Sequence, residues 1–466
     1  MIKPTTTPRY APPAFVESAR AEFAALRSSE SDLQFIDAVF ADICGKLRGK
    51  RLPITEAGRL FDSGMQIPKS IYMMDAHGEM TNPFGRGVSD GDPDGTAWPV
   101  PGTLSRIVSS GAPRAQVLMT LRDDAGALNV AEPRAALERV VARFSELRLV
   151  PVAALELEFY LVDRERNAEG APQPPLCPRT GMRERGASVF GIDDLDRYEA
   201  FLDGLAASAR IQGVPLSAAS KEYAPGQFEA NLRHQAETVR AADHAVFLKQ
   251  VVKSAATANG FEATFMAKPY ADRPGNGLHI HLSVLDESGR NVFDNGAEEG
   301  SAELRYAIGG LQTLMPESMA LFAPNVNSYR RFQPDMFAPV NRRWGYNNRS
   351  AGLRIPAGPG EARRLEHRVA GADANPYLAL AAVLAGVHHG LSGRADPGEP
   401  AIGNVTREPD SALATGIDDA LEKLEQASVL KTYLGEETLA LYRETKRIET
   451  QRLRRTITAA EYDWYL

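Results

Sequence analysis

Residues 152–162 read VAALELEFYLV, and the fold turns on them. Apolar and acidic residues alternate through the segment, which is the period of a β-strand. Leu155, Leu157 and Phe159 then share one face, and Glu156 and Glu158 share the other. Two carboxylates on one face repel. In a buried sheet that cost climbs unless a cation neutralises them. A polar, solvated outer face is the competing reading, and this segment alone leaves both open.

Three other segments carry chemistry. KEYAPGQFEAN, residues 221–231, sets Glu222 and Glu229 around a Pro225-Gly226 turn that could bring both carboxylates to one place; a solvated hairpin is the alternative. GNGLHIHLS, residues 275–283, puts His279 and His281 on one face of a strand behind a Gly-rich loop, and it is the one H-x-H in the chain. Imidazole there suits a transition metal or a nucleotide phosphate. NSYRRFQPDMFAPVNRRWGYNNRSAGLRIP, residues 327–356, holds Arg330, Arg331, Arg342, Arg343, Arg349 and Arg354, and Arg364, Glu366 and Arg368 follow on one face of a further strand. Guanidinium clusters recognise carboxylates and phosphates; surface salt bridges are the alternative. Oxygen and imidazole donors without thiolates favour Mg²⁺ or Mn²⁺ over structural zinc. Acidic ligands beside an arginine-rich anion site fit phosphoryl transfer from a metal–nucleotide. No G-x-x-x-x-G-K-[ST] loop is present, which disfavours a P-loop enzyme.

The rest of the chain sets the frame. With 466 residues, 43% hydrophobic and 24% charged, it reads as a globular protein of several domains rather than a disordered chain. A net charge of −7 argues against a dominant nucleic-acid surface. Two cysteines, Cys44 and Cys177, build neither a disulfide framework nor a Cys-based zinc site, and a cytoplasmic location is expected. The apolar run at 377–387 is far shorter than the ~18–20 residues of a membrane span and reads as a buried helix. No apolar leader opens the sequence. Residues 1–28 read as a tail and a helix, with helical spacing over 14–27. Residues 29–125 read as a small β-rich domain, with a strand and a turn at Gly45 over 33–47, a basic turn at 48–51 and a long loop over 75–104. Residues 126–466 read as a large mixed α/β domain, with helices over 133–147, 197–212, 236–258, 376–390 and 415–434 and strands over 152–162, 264–267 and 277–285.

The same segments resemble the glutamine synthetase superfamily. ELEF at 156–159, APGQFE at 224–229, GLHIHLS at 277–283, NSYRR at 327–331, NRSAGLRIP at 348–356, RRLEHR at 363–368 and ANPYLALAA at 374–382 stand in the family's order, and the ending EYDWYL is similar too. The resemblance implies an α+β protein with a small N-terminal β-grasp domain and a large catalytic domain. It implies a homo-oligomer, usually a dodecamer, with active sites between subunits. It places one metal on Glu158, Glu222 and Glu229 and another on Glu156, His279 and Glu366, with two or three Mg²⁺ (or Mn²⁺) in all. His281, Ser283 and Arg364 would lie at ATP. Arg331, with Gly275 and Gly277 in the adjoining loop, would bind glutamate. Arg349, Arg354 and Arg368 would neutralise the phosphate in transfer.

Departures from the family bear on the substrate. Glutamine synthetases carry an Asp-Gly-Ser-Ser segment whose Asp helps deprotonate ammonium; the region here reads DAHGEMTNPFGRGVSDGDPDGTAW. Phe337 stands where they carry a flap Glu, and an aromatic wall suits an amine with a carbon chain. Pro274-Gly275-Asn276-Gly277 replaces Asn-Gly-Ser-Gly, Glu361 stands where a basic residue is usual, and GNVTREP lacks the Tyr that is adenylylated in relatives. The pattern is closest to γ-glutamylpolyamine synthetases. The expected reaction joins the γ-carboxylate of L-glutamate to putrescine, spermidine or spermine through a γ-glutamyl phosphate, with Glu222 a candidate acceptor of the amine's proton. Asp75, Glu79, Asp90, Asp92, Asp94 and Asp335 are candidates for a distal ammonium, against turn chemistry as the simpler role. The alternatives are a monoamine ligase (ethanolamine or an alkylamine), an authentic glutamine synthetase, a non-catalytic relative and a metal-dependent hydrolase. No nucleic acid or membrane partner is expected.

Overall fold

A computed structural model describes residues 14–108, 111–122, 127–333, 338–339, 341–408 and 410–466. Two sheets organise them. The first contains β1 (Phe35–Ala41), β2 (Leu47–Pro53), β3 (Met65–Pro68), β4 (Asp94–Pro99), β5 (Ser105–Ile107) and β6 (Arg114–Arg122). Its order is β2-β1-β6-β4-β3, with β5 also on β6. The β1–β6 pair is parallel and the rest are antiparallel. Ile36, Ala38 and Phe40 alternate into a core with Phe61, Ile67, Val117 and Met119. The helix Val16–Ser29 lends Ala19 to that core.

The second sheet contains β7 (Leu149–Val162), β8 (Leu216–Lys221), β9 (Gln227–Leu232), β10 (Glu262–Thr264), β11 (Leu278–Asp286), β12 (Trp344–Tyr346), β13 (Leu353–Ile355) and β14 (Leu365–His367). Its order is β12-β13-β14-β11-β7-β9-β8, with β10 also on β7. Leu155, Leu157, Phe159, Leu278, Ile280 and Leu282 leave one face of it for a core shared with the helices Thr238–Ala258, Ala302–Phe322 and Pro376–Gly393. Burying each such side chain contributes about 1.5–3 kcal/mol, and this fixes which face looks away. The fold is α+β. Residues 377–387 lie inside the buried Pro376–Gly393 helix, and no described helix is long and apolar enough to cross a membrane.

Several local expectations are corrected. Residues 48–51 are not a turn but the middle of β2. Charge makes this edge strand workable: Arg48 pairs with Asp42 at 2.6 Å and Arg51 with Asp37 at 2.6 Å, so cationic side chains line an otherwise open edge. The 75–104 stretch contains β4, whose Gly and Pro residues disguise it. The helix expected over 415–434 is two, Ile417–Gln426 and Val429–Leu434. Glu317 breaks it by accepting the Ser428 and Leu430 amides at 3.3 and 2.9 Å. The helix expected over 197–212 is present as Glu199–Ile211, preceded by a short unanticipated helix, Ile192–Arg197. The helices Ala302–Phe322 and Glu436–Arg454 were not anticipated.

Candidate active site

Residues directly opposite each other in a sheet present their side chains to the same face. In β7, Glu156 stands between His279 of β11 and Asn231 of β9. Two residues on, Glu158 faces Glu229 of β9, which in turn faces Ser220 of β8. On the far side, His281 of β11 faces Glu366 of β14, and Glu366 faces Arg354 of β13. Register alone therefore gathers four carboxylates, two imidazoles and a guanidinium on the face opposite the core. The expectation that Glu156 and Glu158 share a face holds.

The side chains close on one another. His279 Nδ1 lies 2.6 Å from Glu156 Oε1, and His281 Nε2 lies 3.3 Å from Glu156 Oε2. Asn231 Nδ2 donates to Glu156 at 2.8 Å and to Glu229 at 3.1 Å. The Gly277 amide donates to Glu158 Oε2 at 2.6 Å. Arg354 donates to Glu366 at 2.8 Å, and Arg368 donates to its other oxygen. One ligand atom from each of Glu156, His279 and Glu366 lies within 4.8 Å of the others, and so does one from each of Glu158, Glu229 and His279. Glu222, expected with Glu158 and Glu229, falls outside that second group, although Glu158 and Glu156 raise its pKa. Asn231 was not singled out from the sequence. The signal was there, since it stands two residues from Glu229 and so on the same face.

Burial and the neighbouring Glu156 and Glu158 charges push Glu229 well above the usual carboxylate range, and burial with the same neighbours raises Glu222. Burial also works against Glu156, yet hydrogen bonds from His279 and His281 hold it well below that range. Glu366 is held down at about 2, because Arg368 and the two imidazoles outweigh its burial. Carboxylates this close cannot all ionise without added positive charge. A donor set of carboxylate oxygens and imidazole nitrogen fits hard divalent ions.

Arg331 is buried and fixed by the Val369 and Arg368 carbonyls, which accept from it at 2.7 and 3.3 Å. Gly275 and Gly277 make room for it. A Cβ on Gly277 would stand 3.0 Å from Arg331 Nη2, and one on Gly275 would stand 2.8 Å from Arg331 Cγ. Arg364 Nε reaches His281 Nδ1 at 3.3 Å. Ser283 follows His279 and His281 along the same face of β11. Arg349 is exposed, and no hydrogen bond or ion pair among the described residues holds it. Phe337 and Asp335 lie outside the described residues. Of the acidic candidates for a distal ammonium, Asp75 accepts from Gly78, Glu79 and Arg452, Asp90 from Gly87 and Asp92, and Asp92 from Ser70. Turn chemistry accounts for Asp90 and for part of the Asp75 bonding, while Ser70 and Arg452 hold Asp92 and Asp75 across the fold.

The chain matches the glutamine synthetase catalytic domain over residues 130–465. It belongs to that family, and it is an ATP-dependent ligase that forms a carbon–nitrogen bond. Among curated relatives it is 40% identical to γ-glutamylputrescine synthetase PuuA of Escherichia coli (strain K12), over 93% of this chain and 92% of that one. It is 32% identical to γ-glutamylethanolamide synthetase GlnA4 of Streptomyces coelicolor, over 98% and 95%. A solved GmaS/ADP complex superposes with a TM-score of 0.81 at 27% identity, covering 95% of this chain and 99% of that one.

Proposed function

We propose that this protein joins the γ-carboxylate of L-glutamate to a polyamine such as putrescine, spermidine or spermine, at the expense of ATP. The observation that carries the ligase reading is the arginine-flanked carboxylate–imidazole cluster on one face of β7, β9, β11 and β14. Similarity to γ-glutamylputrescine synthetase and the departures at Phe337 and in the 75–98 region support the polyamine.

In this reading Glu158, Glu222 and Glu229 hold one Mg²⁺ or Mn²⁺, and Glu156, His279 and Glu366 hold another. The ions would supply positive charge against the phosphates of ATP. His281, Ser283 and Arg364 seat the nucleotide at the same face. Arg331, unable to swing because two backbone carbonyls grip it, presents its guanidinium to glutamate. The γ-carboxylate attacks the γ-phosphate, giving γ-glutamyl phosphate and ADP. Arg354 and Arg368, already aimed by Glu366, and Arg349 hold the charge that builds on the transferred group. The amine then displaces phosphate, and Glu222 accepts its proton. Active sites completed by a neighbouring subunit in a ring, usually a dodecamer, go with this reading.

Phosphate release from ATP, glutamate and Mg²⁺ with ammonium, ethanolamine, propylamine, putrescine, spermidine and spermine tests it, with products weighed by mass spectrometry. Release with diamines and little with ammonium is expected. Preference for ethanolamine or propylamine would replace the polyamine by a monoamine, and preference for ammonium would make the chain a glutamine synthetase.

A further inference from the structure

A second cleft lies away from the carboxylate cluster. It encloses about 560 Å³, with Ile43, Lys46, Lys249, Lys253, Phe265 and Lys446 among its walls. None of the clustered carboxylates or imidazoles borders it. Lys46 comes from the turn between β1 and β2, Lys249 and Lys253 from the Thr238–Ala258 helix, and Lys446 from the Glu436–Arg454 helix.

The charges do not balance. Lys446 is neutralised by Glu449 at 2.9 Å. No carboxylate among the described residues lies within ion-pair distance of Lys46, Lys249 or Lys253. Lys46 donates to the Ala76 carbonyl, and Lys249 to the Ala374 carbonyl at 3.0 Å. Lys249 and Lys253, one helical turn apart, both stand over the Phe265 ring, at 5.7 and 6.0 Å from its centre. Asp373 also borders the cleft; its Oδ2 accepts from Ser328 and Asn325, its Oδ1 has no hydrogen-bond partner, and its charge favours the protonated Lys249. Three amines without an ion-pair partner among the described residues face a single carboxylate, in a chain whose net charge is −7.

Like charges one turn apart on a helix destabilise it, and the half-buried Lys249 adds a desolvation cost, while Lys46 and Lys253 are exposed. Burial and the Lys253 charge both lower the Lys249 amine, to about 7. Such an arrangement loses free energy when empty and recovers it when an anion enters. The donors narrow the choice of anion. Lysines are point charges without the planar fork that matches a carboxylate, so they suit a compact, doubly charged oxyanion. Leu47, Val246 and Tyr442 add apolar wall on which an organic portion could rest.

We infer that this cleft binds a phosphate group, free or carried by a small metabolite, held by Lys46, Lys249 and Lys253. Because Lys46 stands in a turn of the first sheet and the other two on the second sheet's covering helix, the ligand ties the two together.

The test uses the full-length protein with inorganic phosphate or glycerol phosphate as the probe. Lysines are acetylated briefly and quantified by mass spectrometry, with exposed Lys50 as the reference. Phosphate is expected to slow acetylation at Lys46, Lys249 and Lys253 several-fold and to leave Lys50 unchanged. Protection by glycerol phosphate alone would still support the site and would assign it to an organic phosphate. Acetylation indifferent to both probes would overturn it, as would three lysines unreactive even without them. In parallel, the Lys46→Gln/Lys253→Gln variant should melt no lower than wild type in phosphate-free buffer and should lose the phosphate-induced rise in Tm. Arg364→Gln, altered at the nucleotide end of the other site, should keep that rise. A rise that survives in the double lysine variant places phosphate elsewhere and refutes the inference.

Discussion

Gly277→Ala is a one-carbon perturbation with a calculable consequence. The added Cβ would lie 2.9 Å from His279 Nε2, 3.0 Å from Arg331 Nη2 and 3.4 Å from Glu158 Oε2. Two of those contacts are closer than ordinary van der Waals separations, so something must shift. Arg331 cannot yield freely, since it is buried and both of its terminal nitrogens donate to backbone carbonyls. His279 is held at 2.6 Å by Glu156. The cheapest relief displaces one charged hydrogen bond, which is worth about 1.5–3 kcal/mol. At about 1.4 kcal/mol per factor of ten, kcat/KM for glutamate should fall roughly 10- to 150-fold. Phosphate release against glutamate concentration, at saturating ATP and amine, measures this, and circular dichroism melts check the fold. The loss should fall on glutamate more than on the amine, because Arg331 rather than the amine's surroundings is displaced. A variant within threefold of wild type for glutamate would refute the placement of Arg331.

Glu158→Ala should reduce turnover by at least ~100-fold while the protein stays folded, since it removes one carboxylate of the cluster without touching the core; retained ATP-dependent activity would remove Glu158 from the metal site. Chelation with EDTA should abolish phosphate release and lower Tm. Re-addition of Mg²⁺ or Mn²⁺ at about 100 times its Kd should return about 2.7 kcal/mol of stability, read as a recovered melt. Glu132 titrates away from the catalytic cluster. Burial lifts its pKa to about 7, against hydrogen bonds from the Leu121 amide and Thr120 hydroxyl. The folded state therefore binds that proton more tightly than the unfolded chain does, and wild-type stability should fall as pH rises from about 4.5 through 7. Glu132→Gln should flatten that slope in denaturant melts, by an amount on the order of 3 kcal/mol across the window.

Much of the candidate site's face was legible because β-strands translate sequence into geometry with a period of two. Glu156 with Glu158, and His279 with His281, needed no more than that. What brought the two pairs together was the register of β11 on β7, a tertiary fact with no local signature. The pairing of Glu366 with Arg354 was hidden for the same reason, since it depends on the register of β13 on β14, whereas alternation alone put Glu366 and Arg368 on one face. The turn misread at residues 48–51 shows the opposite failure. Arg-Gly-Lys-Arg has turn composition, but Asp37 and Asp42 sit across from it in space and let a charged strand persist. Helix ends were misjudged at residues 427–428 because the cap comes from Glu317, far away in sequence. The Lys46–Lys249–Lys253 cleft was invisible because its amines come from two distant elements and only folding makes them neighbours.

The placement of β7 between β9 and β11 carries a consequence for how the protein comes into being. The clustered side chains sit on neighbouring strands at fixed rungs, so a slip of one residue in either pairing would turn a full set of ligands toward the core. During synthesis β7 and β9 emerge well before β11, and β14 later still. Competence for phosphoryl transfer therefore arrives with the closing strands, and maturation is its own safeguard against wasted nucleotide.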